Sequence, residues 1–240
     1  MTLHRRRILG IVRKEIRELR RNRSILVAMA ILPLVFIIQP LVAVLGLRAS
    51  ASGALSQEHV LLYLLGIPTL VPPIIAATAV AGERQQGTLE PVLTTPVQAE
   101  ELLLGKALAA FLPAVVIAYG VFAVFLLLAA VFGDPTVVAA LVQWPDLVAQ
   151  ILFTPLLAGW SIWVGIAVST RSSDVRVAQQ LGILASLPVV LVTVLIALSV
   201  IEPTLALGIG AGLVLLVLDV FGWRFVARLF DREQLITGTR

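Results

Sequence analysis

Long uninterrupted apolar runs dominate the pattern of hydrophobic and polar residues along this 240-residue chain. A helix needs about 20 apolar residues to cross a hydrocarbon core of roughly 30 Å, and six runs reach that length. We place the six predicted spans at residues 25–46, 60–81, 107–132, 147–168, 178–200 and 204–222. Asp219 is the only Asp, Glu, Lys, Arg or His within those windows. The pattern therefore predicts an all-α polytopic membrane protein that forms a single transmembrane domain over residues 1–240.

The N-terminal segment, residues 1–24, carries a different pattern. Apolar residues recur there at steps of three and four, as in an amphipathic helix that lies on a membrane surface. These apolar positions are Ile8, Ile11, Val12, Ile16 and Leu19. The basic residues that we assign to this interfacial elbow are Arg13, Lys14, Arg17, Arg20 and Arg21. The pattern fits both a charged topology anchor and an elbow that carries motion from a cytoplasmic partner into the first span, and the two interpretations are compatible.

The polar loop between the second and third spans, residues 82–106, has local signals of its own. Thr95 is a suitable N-cap, Pro96 suits the first helical position, and Gln98 completes a capping box. A helix is therefore predicted to begin there and to continue into the third span. Before it, Gly87 interrupts a short polar helix or turn. The loop is expected to form a helix-turn-helix elbow.

Composition and charge place the chain in lipid and orient it. Hydrophobic residues make up 59% of the chain and the mean hydropathy is +1.02, which leaves too little polar surface for a water-soluble globule. Nine of the 18 Lys and Arg residues precede the first span, and with both termini inside only Arg48 faces outward. We therefore expect a multi-pass protein of the plasma (inner) membrane with both termini cytoplasmic. The basic inner face is expected to meet anionic lipid rather than nucleic acid, since no recognition module accompanies the charge.

Residues that could carry chemistry are sparse. The absence of cysteine excludes disulfides and thiolate metal sites. The sequence contains no phosphate-binding loop, because Gly105-Lys106 is followed by Ala107 rather than by Ser or Thr. His4 and His59 lie outside the predicted spans and are expected to be solvated. We therefore predict no catalytic, cofactor-binding or metal-ligating residue, and the chain is not expected to be an enzyme.

The loop after the second span also carries a recognisable motif. It contains the run Glu83-Arg84-Gln85-Gln86-Gly87-Thr88-Leu89-Glu90, followed by Thr95-Pro96, Glu101-Leu102 and Gly105-Lys106. This arrangement resembles the first cytoplasmic loop of ABC transporter permeases of the type-2 export class, whose pattern is close to E-R-E-x-G-T-L-E-x-L-L-x-T-P, then E-L and G-K. Gln85 and Val92 are mild departures from that pattern. Arg13-Lys14-Glu15 ahead of the first span is similar to the entry segment of the same proteins.

The resemblance implies a permease subunit that forms the membrane pore of an exporter and works with a separate ATPase, which binds ATP and Mg²⁺. It implies a homodimer of this chain with two copies of the ATPase, and a cytoplasmic coupling helix that contacts the ATPase. The residues that we assign to this contact are Glu83, Arg84, Gly87, Thr88 and Glu90.

Two alternatives remain, a gradient-driven secondary transporter and a membrane assembly scaffold without an ATPase partner. The lack of ionisable groups near the middle of the spans counts against a gradient-driven carrier, which usually places ion or proton sites there. The sequence leaves the transported substrate open.

Overall fold

The computed structural model of this protein describes residues 4–46, 59–87 and 98–229. An amphipathic helix, α1, covers Arg5–Arg21 and is followed by six segments long and apolar enough to cross a membrane. These spans 1 to 6 are Arg23–Gly46, Val60–Gln85, Ala99–Phe132, Trp144–Arg171, Val175–Ala197 and Leu205–Leu229, with a short helix, Pro135–Leu141, before span 4. The described residues contain no strand. The all-α prediction with six spans is confirmed.

Asn22 makes the bend between α1 and span 1. Its extended backbone ends α1, while its side-chain Oδ1 accepts a hydrogen bond from the backbone N–H of Ile25 at 3.3 Å. This is the usual geometry of an N-cap, which satisfies a backbone donor that the first helical turn leaves free. The chain therefore leaves α1 and enters span 1 through a one-residue elbow.

Span 2 lies at the centre of the bundle. Over its most apolar stretch 94% of span 2 is buried, against 17% of span 5 and 6% of span 6. Close approach depends on small residues: a Cβ at Gly165 of span 4 would lie 2.7 Å from the Cβ of Ala76, and one at Gly182 of span 5 would lie 3.1 Å from the Cβ of Pro73. Glycines at both positions let neighbouring backbones touch span 2, as small residues do in membrane helix packing generally.

Span 2 is not a continuous α-helix. It begins as a 3₁₀-helix over Val60–Leu65, continues as an α-helix over Gly66–Ala76, and resumes as a helix over Ala81–Gln85 after a turn. An interrupted helix leaves backbone N–H and C=O groups without partners, and such groups are costly in an apolar environment.

Ser169 of span 4 satisfies the backbone at this interruption. Its Oγ accepts hydrogen bonds from the N–H groups of Val80 at 3.1 Å and Ala81 at 2.9 Å, and donates one to the carbonyl of Ala77 at 2.7 Å. One hydroxyl therefore serves three backbone groups. The break in span 2 is held against span 4 by this side chain.

The opposite end of span 2 is also tied to its neighbours. His59 Nδ1 lies 2.7 Å from Asp146 Oδ1 at the start of span 4, and the His59 N–H donates to the carbonyl of Ala197 at the end of span 5. The His59 side chain is 15% exposed and that of Asp146 is 3% exposed. The expectation that His59 is solvated is therefore wrong, because a buried carboxylate requires a hydrogen-bonding partner. His4 is exposed, as expected.

The start of span 3 also differs from the sequence prediction. Gln98 is extended and the helix begins at Ala99. The prediction of a helix that runs unbroken from Pro96 into span 3 is therefore wrong. The carboxylate of Glu101 accepts a hydrogen bond from the backbone N–H of Gln98 at 3.2 Å. The capping box therefore pairs Gln98 with Glu101 rather than Thr95 with Gln98. Thr95 and Pro96 themselves lie outside the described residues.

Ser169→Ala is expected to lower the free energy of unfolding by about 2 kcal/mol or more, because it leaves two N–H groups and one carbonyl without this hydroxyl in a buried site. Ser186→Ala is the matched control, since the Ser186 hydroxyl is equally buried but donates only to the Gly182 carbonyl of its own helix. Thermal unfolding in detergent, followed by circular dichroism, measures the difference. Equal losses in the two variants would contradict the role given to Ser169.

Candidate functional site

The apolar face of α1 packs on span 3. A Cβ at Gly105 would lie 2.6 Å from Ile11 Cγ2 and 2.8 Å from Ile11 Cβ, so only a glycine there lets the two helices approach this closely. Val12 and Leu19 of α1 are also buried. The amphipathic helix expected from the sequence is present, but span 3 rather than lipid covers its apolar stripe. Gly105 permits this contact because it has no side chain to separate the backbones.

Three structural elements meet at the next residue, Lys106. Its Nζ lies 2.8 Å from Glu15 Oε1 of α1 and 3.0 Å from Glu83 Oε1 of span 2. Lys14 Nζ of α1 also reaches Glu83 Oε1 at 2.8 Å. Lys106 is 3% and Glu83 is 6% exposed. Buried charges persist where opposite charges and hydrogen bonds compensate them, and these four side chains meet that condition together.

Arg84 extends the connection to span 4. Its Nη1 donates to the carbonyl of Ser172 at 2.9 Å and its Nη2 to the carbonyl of Thr170 at 3.3 Å. The span 4 helix ends at Arg171, where backbone carbonyls have no helical partner and the helix dipole is negative. A guanidinium is well matched to this helix end. Two adjacent residues, Glu83 and Arg84, thus bind the end of span 2 to three different elements.

We call this set the joint and define it as Lys14, Glu15, Glu83, Arg84, Gly105 and Lys106. The electrostatics of its α1 residues follow from the pairs. Burial opposes the charge on Lys14, but the hydrogen bond to Glu83 and the carboxylates of Glu15 and Glu18 outweigh it and raise the pKa of Lys14. Burial likewise raises the pKa of Glu15, yet the charge and hydrogen bond of Lys106 outweigh it, so this pKa lies below its usual 4.5. The joint therefore favours the ionised forms of both Lys14 and Glu15 near neutral pH.

Glu101 forms a second tie between α1 and span 3. Its buried carboxylate accepts the backbone N–H of His4 at 2.8 Å, and its Oε2 lies 3.5 Å from Arg7 Nη1. The beginning of α1 is thus fastened to the beginning of span 3, one turn before the Gly105 contact. Together with the joint, Glu101 holds α1 along its length.

A cavity of about 770 Å³ lies beside the joint. Its lining combines charged side chains of the joint with apolar and polar residues of spans 1, 2, 3 and 5, among them Ile25, Ile75, Thr78, Ala109 and Gln179. The volume is within the usual range of small-molecule sites, and it leaves room for α1 and the end of span 2 to shift. The described part of the chain has no group of three or more His, Asp or Glu side chains that could hold a metal ion.

The sequence-predicted contact residues have different positions. Glu83 and Arg84 are engaged within the chain, as described above. Gly87 lies in a turn with φ +67°, a conformation that favours glycine, and no described atom lies within 4 Å of an added Cβ. Thr88 and Glu90 lie outside the described residues. Contact of these residues with an ATPase stays a prediction.

The five basic residues of the predicted elbow are all exposed, but only one belongs to the joint. Lys14 reaches Glu83 with its ammonium group, and the other four are Arg13, Arg17, Arg20 and Arg21.

Glu15 and Ser169 are the structural residues that sequence reasoning missed. Glu15 lies beside the apolar stripe of α1, next to Val12 and Leu19 on the helix surface, and a carboxylate at that position is a signal for a buried cation nearby. No comparable local signal marks Ser169.

The chain matches a known protein family over most of its length. The model of the ABC-2 family transporter proteins matches residues 9–230, which include most of α1, the joint and all six spans. No curated protein matches the chain significantly.

Gly105→Ala is expected to displace α1 and to destabilise the protein by about 1–3 kcal/mol, because the added methyl group overlaps Ile11. Gly120→Ala in the same helix is the control, since nothing lies within 4 Å of its added Cβ and alanine favours helix. Thermal unfolding in detergent compares the two. A Gly120→Ala loss as large as that of Gly105→Ala would contradict the close α1 contact.

The pKa shifts predict a pH window for the docking of α1. Glu15 has a lowered pKa, so its contribution is present above 4.5 and is lost as pH falls through the folded value below that. Lys14 has a raised pKa, so its contribution is present below 10.5 and is lost as pH rises through the still higher folded value. Docking should therefore be constant from pH 4.5 to 10.5 and weaken on strong acidification.

Because the chain lacks cysteine, spin labels on Gly10→Cys and Gly120→Cys can report the distance between α1 and span 3. The distance distribution should broaden below pH 4.5 in the otherwise unchanged chain. The additional substitution Glu15→Gln should reduce that acid dependence, and the part that remains is assigned to Glu101, the second carboxylate that binds α1. A transition near neutral pH would contradict the assignment.

Proposed function

This chain belongs to the ABC-2 family of transporter proteins, and from that membership we propose that it is the membrane permease of an exporter driven by a separate ATPase. In this proposal two copies of the chain form a homodimer that binds two ATPase subunits. ATP and Mg²⁺ bind to the ATPase and this chain binds no cofactor. The protein lies in the plasma (inner) membrane with both termini in the cytoplasm. The family match supports the transport role, and the joint supports the mechanism.

The position of the joint is the observation that carries the proposal. Glu83 and Arg84 lie just before the turn at Gly87, which ends one described segment of the chain, and the next described segment begins at Gln98 and continues into span 3. A force applied to the intervening loop therefore reaches span 2 through its end and span 3 through its start. Because Glu83 also binds α1 and Arg84 binds span 4, the same force acts on four elements at once.

The burial of Glu83 refines the predicted partner contact. Its carboxylate faces Lys14 and Lys106 of the same chain, so we assign it to transmission of the motion within the permease. Contact with the ATPase is then assigned to the loop beyond the joint, which includes Gly87, Thr88 and Glu90. Arg84 has the same transmitting role through the end of span 4.

The proposed motion uses the break in span 2 as a hinge. The short helix Ala81–Gln85 can change its angle relative to Gly66–Ala76, because the turn between them already interrupts the helix. The cavity beside the joint offers space for this shift. The other end of span 2 is held by His59 against spans 4 and 5. Closure of the ATPase thus tilts α1, span 3 and the short helix Ala81–Gln85 together against the rest of span 2 and spans 4 and 5, and access changes from one side of the membrane to the other.

Charge supports the orientation. The end of the bundle that contains the joint also exposes the arginines of α1, as well as Arg171 and Arg176. The positive-inside rule favours a cytoplasmic position for such an end. The loop that is proposed to bind the ATPase then lies on the side of the membrane where ATP is found.

One observation keeps a gradient-driven carrier as the second candidate. Asp219 lies in the apolar run of span 6, and its carboxylate rests against Gly159 of span 4, where an added Cβ would be 2.8 Å from both oxygens. Its Oδ1 is buried without a hydrogen-bond partner in the described residues. Intramembrane carboxylates often bind protons or cations. Loss of gradient-dependent uptake in Asp219→Asn, without any effect of ATP, would favour that candidate.

Purification of the tagged chain from its native membrane tests the proposed function. A nucleotide-binding subunit with a phosphate-binding loop should come with it, and the complex should hydrolyse ATP. Glu83→Gln should lower this ATPase activity at least tenfold, because loss of one partner from a buried ion pair costs about 3 kcal/mol or more.

Glu202→Gln is the matched control, since Glu202 is an exposed acid at the other end of the bundle. It should leave the activity unchanged. Gly87→Pro should also uncouple the complex, because proline cannot adopt φ +67°. A chain that purifies without any nucleotide-binding subunit, or a Glu83→Gln complex with full activity, would refute the proposal.

A further inference from the structure

The charges of α1 are sorted onto different sides of the helix. At 100° per residue, Arg6, Arg13, Arg17 and Arg20 fall within one stripe on the side opposite Ile11, which packs on span 3, and Arg21 lies beside the stripe. All five arginines are exposed. We call these five residues the basic stripe. It faces away from span 3.

The acidic residues of α1 do not neutralise the basic stripe. Glu15 binds Lys106 and Lys14, and Glu18 lies 3.5 Å from Lys14. Within the residues that the structure describes, no carboxylate lies within ion-pair distance of a basic-stripe arginine. The stripe is therefore a row of uncompensated positive charge, and its natural partner is an anion.

The contacts of α1 set the level of the stripe relative to the apolar spans. Glu15 touches Lys106, which directly precedes the apolar run that begins at Ala107 in span 3. The later arginines of the stripe are farther along α1, beside Asn22, where span 1 begins. Spans 1 and 3 thus both become apolar at the level of the C-terminal half of α1. In a bilayer this is the level of the lipid headgroups.

We propose that the basic stripe binds the phosphate groups of anionic phospholipids in the leaflet beside α1. Anionic headgroups supply the charge that the stripe lacks, at the level where the stripe lies, while the apolar face of α1 is already covered by span 3. The bound lipids hold α1 from outside while the joint holds it from inside. This inference needs no ATPase and can fail while the proposed function stands, or the reverse.

Spin-labelled lipids test the proposal on the whole chain reconstituted in phosphatidylcholine vesicles. Spin-labelled phosphatidylglycerol should show an association with the protein at least about threefold stronger than spin-labelled phosphatidylcholine, measured as the motionally restricted fraction. The preference should disappear in about 1 M salt, where the screening length is about 3 Å.

A matched pair of variants locates the binding. Arg13→Gln/Arg17→Gln should lose at least half of the preference for phosphatidylglycerol. Arg171→Gln/Arg176→Gln removes the same charge from exposed positions outside the stripe and should retain it. Circular dichroism confirms that each variant keeps its helix content, and all four positions are exposed, so folding is not at risk.

Four results would overturn the inference. One is equal association of the two lipids with the unchanged protein, and another is equal loss of preference in both variants, which would show a response to total charge. Displacement of the lipid by soluble glycerol phosphate would show a site for free phosphate. Loss of the preference when a nucleotide-binding subunit is added would assign the stripe to an acidic protein surface.

Discussion

A single buried ammonium group, that of Lys106, determines how one end of this bundle is assembled. The group is almost fully enclosed, and its charge is balanced by Glu15 from α1 and Glu83 from span 2. Buried ion pairs add little net stability because both partners lose their hydration, but the loss of one partner leaves an uncompensated charge. These charges therefore determine which arrangement of α1, span 2 and span 3 forms, while they add little to the free energy of unfolding. A movement of any one of them must move the others or separate these charges.

Span 2 has a different kind of attachment on its other side. Ser169 and Arg84 bind it to span 4 through backbone groups, and His59 binds its far end to Asp146. Hydrogen bonds to the backbone fix position and leave the helix break intact, since Ser169 supplies the partners that a regular helix would have provided. Span 2 thus has a hydrogen-bonded side and an ionic side. In a transporter this combination allows one side to hold while the other moves.

The motif that predicts the family has a structural explanation within the chain. Gly105 leaves room for Ile11, and Lys106 forms ion pairs with Glu15 and Glu83. Arg84 donates a hydrogen bond to the backbone at the end of span 4. Sequence reasoning identified the motif and, from the family resemblance, assigned Glu83 to a contact with the ATPase. It did not predict that this carboxylate is buried between Lys14 and Lys106. Burial of a carboxylate depends on which cations lie near it. Those cations come from positions 69 and 23 residues away in the chain, and no local pattern predicts that meeting.

The membrane class, the six spans and the amphipathic α1 were all predictable from the amino-acid sequence. Each of these follows from length, hydrophobicity or helical periodicity, which a bilayer imposes on any chain that crosses it. The central position and interruption of span 2, the hydrogen bonds from Ser169 to its backbone and the docking of α1 on Gly105 follow from long-range packing, and no sequence pattern predicted them. Lipid and the protein interior are equally apolar. A hydrophobic pattern therefore does not distinguish the two, and the faces that meet are chosen by contacts between residues far apart in the chain.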